Sequence, residues 1–230
     1  VKIVGIIPCY NVERYCRSVI ERTLPFVTRL ILIDDGSTDE TRVILQEMGR
    51  THAQIRLILF DKNQGKGNAL LQAIDVACKE GKFDALVTLD SDGQHAPEEI
   101  PRLMSAMQEG ADLVIGGRDF SLMPPRSRFA NTFMSLLLRW VSNTAPHDTQ
   151  SGFRAMSPSF ARAIVQHVKG NHYEMEMRCI LLAIHWNLRI KEVPIETIYL
   201  DKNQSSHFSK ISDSYKIMLV LIRYWITKRL

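Results

Sequence analysis

Asp90 and Asp92 stand one residue apart directly after the apolar run Leu86-Val87-Thr88-Leu89, and Gln94 follows two residues later. Two carboxylates and an amide oxygen leaving a rigid strand are hard oxygen donors. Magnesium and manganese take that kind of ligand, with substrate phosphates completing the shell. The same turn also reads as a helix N-cap ahead of Pro97. Three further polar clusters follow apolar runs: Pro8-Cys9-Tyr10-Asn11, Asp34-Asp35-Gly36-Ser37, and the stretch 61–67. Any one of them is ordinary turn chemistry, because turns favour Asp, Asn, Gly and Ser. Four strand ends together predict one crevice, the place where open α/β sheets bind ligands.

Within the third cluster, Asn63-Gln64-Gly65-Lys66-Gly67-Asn68-Ala69 offers glycines that let backbone approach a phosphate closely, and Lys66 adds a positive charge. The spacing is not that of nucleotide hydrolases. No Gly-x-Gly-x-x-Gly follows the first apolar run, which argues against a dinucleotide oxidoreductase.

These clusters need elements to hold them. Short apolar runs at 3–7, 30–33, 55–60, 85–89 and 113–115 predict strands, and amphipathic stretches at 12–24, 38–48, 67–78 and from Pro97 onward predict helices between them. That alternation is the pattern of a mainly parallel sheet flanked by helices, hence an α/β fold. After Gly116 it fails. Helices are predicted at 129–141 and 160–168, and short strands at 190–193 and 195–199 around Pro194.

A chain of 230 residues has room for one full-sized domain, and 45% hydrophobic with 23% charged residues excludes disordered and fibrous classes. Cys9, Cys16, Cys78 and Cys179 form no Cys-x-x-Cys pair, so they predict reduced thiols in a cytoplasmic setting. The chain enters its first strand at Val1-Lys2-Ile3-Val4, and no leader peptide is expected. Stretch 202–230 holds six Lys/Arg against one Asp, while 1–201 holds 23 against 24, so the whole positive excess lies at the C-terminus. Without a basic face or a recognised motif, nucleic acid is not the expected partner. Between Tyr215 and Leu230, apolar and basic residues alternate as in a helix lying on an anionic membrane surface; a core or partner-facing helix is the competing reading. The helix at 129–141, with Trp140, is a candidate second interfacial element.

In order along the chain, Pro8-Cys9-Tyr10-Asn11, Asp34-Asp35-Gly36-Ser37-Thr38-Asp39, the 63–69 loop, Asp90-Ser91-Asp92-Gly93-Gln94-His95, Gly116-Gly117-Arg118 and Asp148-Thr149-Gln150-Ser151-Gly152-Phe153-Arg154 resemble the family 2 inverting glycosyltransferases of the GT-A fold. More narrowly, they resemble the dolichyl- or polyprenyl-phosphate mannose and glucose synthases. The resemblance implies that Pro8, Tyr10, Ile33 and Asp35 frame the base and ribose of a nucleotide-diphosphate sugar. It also implies that Asp90, Asp92 and Gln94 hold Mg2+ or Mn2+ against the diphosphate, and that Arg118 and Arg128 face phosphates near the acceptor. Where the family often has Glu directly after the Tyr-Asn pair, this chain has Val12 and then Glu13. The synthases' tail pattern, Arg-x-x-Gly-x-Ser-Lys, keeps Ser209 and Lys210 as acceptor contacts but has Gln204 and His207 at the Arg and Gly positions.

Residues 1–118 are then expected to bind the donor, 119–210 the acceptor, and 211–230 to form a membrane-proximal amphipathic helix, which places the enzyme at the cytoplasmic face of a membrane. Lys66 is expected at the donor's phosphates. A lipid-phosphate acceptor is already an anion and needs no strong base; a saccharide or glycolipid hydroxyl does, and Asp148, Glu174 or Glu176 would supply it. A non-catalytic sugar-nucleotide-binding protein is the third reading, against which the Asp90/Asp92 pair argues.

Overall fold

Along every long strand, alternate side chains enter two different cores. Val4 and Ile6 of the first strand, Ile31 and Ile33 of the second, and Leu113 and Ile115 of the fifth face one; Ile7, Leu30, Leu32 and Val114 face the other. This period-two division of a nearly all-apolar strand is what helices on both faces of a sheet require. The computed structural model describes residues 1–142, 145–170, 172, 174–198 and 212–227, with all their side chains except those of Arg126, Val141 and 212–216.

The strands are β1 (Ile3–Cys9), β2 (Arg29–Asp34), β3 (Ile55–Leu59), β4 (Ala85–Thr88), β5 (Leu113–Gly117), β6 (Arg154–Met156) and β7 (Ile190–Pro194). They form one sheet in the order β3-β2-β1-β4-β6-β5-β7. Helices α1 (Cys16–Thr23), α2 (Thr41–Thr51) and α4 (Ile100–Gln108) contribute to one core, and α3 (Lys66–Lys79), α5 (Pro125–Val141), α6 (Pro158–His167), α7 (Glu174–His185) and α8 (Ser212–Thr227) to the other. Parallel pairing of β3, β2, β1 and β4 brings their C-terminal ends to the same edge, with Cys9 opposite Asp34 and Asp34 opposite Leu59.

Three differences from the sequence expectation have local causes. β6 is a three-residue strand running antiparallel between β4 and β5, and its apolar signal is only Ala155 and Met156. The strand expected at 195–199 is absent over its described part, because β5 ends at Gly117 and only Ile195 N–H still finds a partner there, the Gly117 carbonyl. α1 and α2 begin later than expected. Val12 N–H donates to Thr41 Oγ1 (2.8 Å) and Thr38 N–H to Asn11 Oδ1 (2.8 Å), which ties both loops to each other before either helix starts.

α8 answers the core-versus-surface question with one face for each. Ile217, Val220, Leu221 and Tyr224 pack into the core, while Leu219, Ile222, Trp225 and Ile226 are exposed. α5 packs beside it and exposes Phe129, Phe133, Leu136 and Trp140 at helical spacing.

Candidate active site

The loops after β1, β2 and β3 are stapled by short polar side chains. Asn11 adopts φ 51°, and its N–H donates to Ser37 Oγ (3.1 Å). Asp34, fully buried, receives Arg42 Nε at 2.6 Å and the Ser37 N–H at 3.0 Å. Gly36 has φ 72°, and a Cβ there would collide with the backbone of Lys62 and Asn63, so the loops after β2 and β3 touch at a position only glycine fits.

Asp35 extends this bracing. Its two carboxylate oxygens accept the N–H groups of Gln64 (2.7 Å) and Gly65 (2.9 Å). Burial raises its pKa, and those amide bonds pull the other way. The 63–65 turn therefore gives two of its N–H groups to Asp35, not to a phosphate, and Asp35 acts first as the turn's clamp. Ile33, expected beside the base and ribose, is fully buried in the core at the end of β2. Pro8 is buried with its carbonyl accepting Ser91 Oγ (2.8 Å), and Tyr10 is half-buried at the strand end.

β4 delivers the acidic pair. Lys66, at the first position of α3, brings Nζ to 2.6 Å from Asp90 Oδ1 and 3.1 Å from Glu176 Oε1. Gly67 makes this possible, since a Cβ on it would overlap the His172 carbonyl and the Met175 side chain; α3 abuts the start of α7 there. Burial pushes the Asp90 carboxyl up, but Lys66, His95 and Arg118 outweigh it and hold the group at about 2. Asp92 goes the other way: burial and the neighbouring Asp90 charge push it up to about 6, although it accepts the Gln94 N–H at 3.0 Å. His95, buried, accepts the Asp90 N–H at Nδ1 (3.2 Å) and is lowered by burial to about 4, so it is neutral at pH 7. Gly152 covers the Asp90 carboxylate closely enough that a Cβ would lie 2.5 Å from both oxygens.

Arg118 and Asp148 form a second buried system. Arg118 donates from Nε (2.6 Å) and Nη2 (3.0 Å) in a bidentate pair, and its own N–H adds a third bond to Asp148 (3.2 Å). The N–H groups of Gln150 and Ser151 complete the shell (3.1 Å each). Burial raises the Asp148 pKa, but Arg118 and these amides more than compensate and hold it low. A carboxylate so fully occupied is unsuited to accept a proton. Asp148 is an anchor for Arg118, which corrects its expected role as a base. Arg154, also buried, donates to the carbonyls of Thr149, Ser151 and Glu176 (3.0, 2.8 and 2.7 Å), joining this loop to α7. Glu192 of β7 accepts the N–H groups of His147 and Asp148.

The structure thus brings together Lys66, Asp90, Asp92 and Arg118. Gln94 lies half-buried on the same turn, and Glu174 half-buried at the start of α7, beside the residue that pairs with Lys66. Arg128 does not join them: it is exposed on α5. Ser209 and Lys210 lie outside the described residues. Sequence reasoning missed the Lys66–Glu176 pair and Glu192, and it gave no role to Arg154, which ends the last of the matching blocks. A buried Arg in a strand flanked by Gly152-Phe153 and Ala155-Met156 was the only local signal.

Asp90, Asp92 and Gln94 suit a hard divalent cation. Two half-buried carboxylates at one strand end repel each other, and the donor set is all oxygen. Among the described residues no group of three or more His, Cys, Asp or Glu is arranged to hold a metal alone. A cation here would take its remaining ligands from phosphate or water. No helix among those described is long and apolar enough to cross a membrane.

Residues 6–169 match the family model described as glycosyl transferase family 2. The chain is 29% identical to the UDP-N-acetylglucosamine–dolichyl-phosphate N-acetylglucosaminyltransferase of Methanococcus voltae, covering 85% of each chain. It is 30% identical to the polyprenol monophosphomannose synthase of Mycolicibacterium smegmatis, covering 83% of this chain and 75% of that one. Among solved structures, the Mycobacterium tuberculosis glucosyl-3-phosphoglycerate synthase complexed with Mn2+, UDP-glucose and phosphoglyceric acid superposes with a TM-score of 0.74, covering 97% of this chain and 79% of that one, at 20% identity. The fold is therefore GT-A, as the resemblance implied. The chain belongs to glycosyl transferase family 2 and is a glycosyltransferase.

Proposed function

We propose that this family 2 glycosyltransferase moves a hexose from a nucleotide-diphosphate sugar to a polyprenyl phosphate, with Mg2+ or Mn2+, at the cytoplasmic face of a membrane. The Asp90/Asp92 pair carries the reading: two carboxylates pressed together at a strand end call for a cation, and a diphosphate brings the ligands to complete its shell. When bound, the cation would stabilise the negative charge that builds on the leaving diphosphate. Residues 1–118 hold the donor between the strand-end loops, with Pro8, Tyr10 and Asp35 at the nucleoside end and Lys66 and Arg118 near the phosphates. Residues 119–210 receive the acceptor, with Glu174, Arg128, Ser209 and Lys210 as its contacts, and 211–230 support it at the membrane.

Two observations favour a phosphate acceptor over a hydroxyl. Asp148 is committed to Arg118 and Glu176 to Lys66, which suits an acceptor that arrives already ionised. The outward faces of α5 and α8 are apolar and aromatic, with Arg139 and Arg223 exposed among them, as in helices lying at an anionic interface. The two relatives named for dolichyl phosphate and polyprenol support the same class.

The test incubates purified protein and Mn2+ with a panel of nucleotide sugars and either short polyprenyl phosphates or saccharides. Lipid-linked product that disappears with excess chelator is expected; product only on saccharides would sink the acceptor assignment. Anionic vesicles should also retain the protein in a salt-sensitive way. Trp140→Ser with Trp225→Ser should release it at an unchanged melting temperature, and equal retention of this variant would sink the membrane reading.

A further inference from the structure

Glu176 raises a question that the donor site alone does not answer. It is 5% exposed and lies 110 residues from its partner, yet it spends its charge on Lys66, a side chain that Asp90 already holds at the shorter distance of 2.6 Å. A buried carboxylate is costly unless paired, so a second acid on one lysine needs a reason.

Charge counting supplies one. Arg118 is neutralised by Asp148 in a bidentate pair. Asp90, Asp92 and Glu176 then share the Lys66 ammonium, with the next buried cation, Arg154, giving its bonds to carbonyls, one of them Glu176's own. Acids still outnumber bases, and a divalent cation at Asp90 and Asp92 would offset the excess. We propose that Lys66 is the resident counter-cation of the metal site: its ammonium neutralises Asp90 while no divalent cation is bound, and withdraws onto Glu176 when one is. The inference rests on Asp90 and Asp92 being the metal ligands.

The geometry suits such a transfer. Lysine is a compact point charge on a flexible stem, able to change partners by rotating its last bonds. Its backbone does not need to move, because Gly67 locks the start of α3 against Gly170, His172 and Met175. Glu176 is held from behind, since Arg154 Nη1 donates to its carbonyl at 2.7 Å and fixes the first turn of α7. Glu176 thus offers Lys66 a seat that stays in place whether or not Asp90 is occupied. A divalent cation approaching Asp90 must displace the ammonium, and Glu176 gives the displaced charge a buried partner.

The proposal predicts opposite effects from two substitutions, measured with Mn2+ alone and without nucleotide. Free Mn2+ can be counted by its paramagnetic resonance signal in wild type, Lys66→Gln and Glu176→Gln, each checked for folding by circular dichroism and melting temperature. Removing the resident cation should tighten Mn2+ binding in Lys66→Gln by about tenfold, the scale of one nearby like charge in a partly screened site. Removing the second seat should weaken it several-fold in Glu176→Gln. Wild type that binds Mn2+ with Lys66→Gln equal or weaker overturns the counter-cation role and leaves the metal site standing. If Lys66→Gln does not fold, an unchanged affinity in Glu176→Gln overturns it instead. Binding by Lys66→Gln alone supports it, and binding by none of the three defeats both the metal site and this inference.

Discussion

The Arg118–Asp148 system and the Lys66–Asp90–Glu176 system are built to opposite rules, although both are buried ion clusters beyond the same sheet. In the first, one carboxylate meets one guanidinium, and every remaining acceptor position is filled by a backbone N–H. In the second, acids outnumber bases, and Asp92 is left with a raised pKa because burial and then the neighbouring Asp90 charge push it up. In the closed cluster the carboxylate is fully engaged, and Asp148 serves as the scaffold that aims Arg118. An open one is incomplete until a cation arrives, and the contrast separates support from chemistry without reference to any relative.

Asp148→Ala should give the largest effect. It leaves the Arg118 charge uncompensated next to buried groups, and breaking such a pair costs about 3–5 kcal/mol. Urea denaturation is the measurement. A loss under about 1 kcal/mol would mean that solvent reaches the pair, and the distinction between the clusters would collapse.

Asp92→Asn should do the reverse. Turnover is expected to fall by two or more orders of magnitude, roughly 2.7 kcal/mol of transition-state stabilisation, while the melting temperature of the metal-free protein holds or rises because the repulsion from Asp90 is relieved. Retained activity in excess chelator, or a fall in melting temperature matching that of Asp148→Ala, would place Asp92 with the scaffold.

How far each cluster was legible in the sequence follows the same division. Asp90, Asp92 and Gln94 were visible because one strand end presents them within five residues. So were the four polar strand ends, since each continuous apolar run stops where its strand does. Asp35 was visible as a site residue, but its clamp on Gln64 and Gly65 was not, because hydrogen bonds between separate loops leave no local pattern. The misreading of Asp148 as a base has the same origin: its partner Arg118 is 30 residues away, and sequence alone shows a carboxylate without its hydrogen bonds. β6 is too short to show periodicity, and the lysine–glutamate pair spans 110 residues. Alternating apolar runs and amphipathic stretches made the fold class legible, but only the folded chain reveals which charges are already spent.

The open cluster should also answer to pH. Asp92, raised to about 6 in the metal-free protein, must lose its proton before it can serve a cation. Mn2+ affinity should therefore climb with pH, by up to about tenfold per unit below 6, and level off above it. The sign for stability is opposite. A carboxyl raised above its unfolded value favours the folded state most at low pH, and that contribution is lost as pH rises through about 6 unless a cation is present. Melting curves with and without Mn2+ should hence diverge between pH 5 and 7. Parallel curves would show that Asp92 is ionised throughout and that the cluster is not short of positive charge.

The smallest effect should come from the edge of the closed cluster. Glu192 accepts the N–H groups of His147 and Asp148, the same loop whose carboxylate anchors Arg118, so on a contact diagram it looks like a third member of that system. It differs in exposure: Glu192 lies open to solvent on the edge strand β7, whereas Asp148 is fully buried. Water can replace what a lost carboxylate oxygen supplied to an exposed N–H, and it cannot do so for the buried guanidinium pair. Glu192→Gln keeps one acceptor and the side-chain length, so its cost should stay within about 0.5 kcal/mol, several times less than Asp148→Ala. Measuring both variants in the same urea series tests whether burial, and not membership of the hydrogen-bond network, sets the energy. If Glu192→Gln matches Asp148→Ala, the loop is held cooperatively from the edge strand inward, and the closed cluster must be redrawn to include β7.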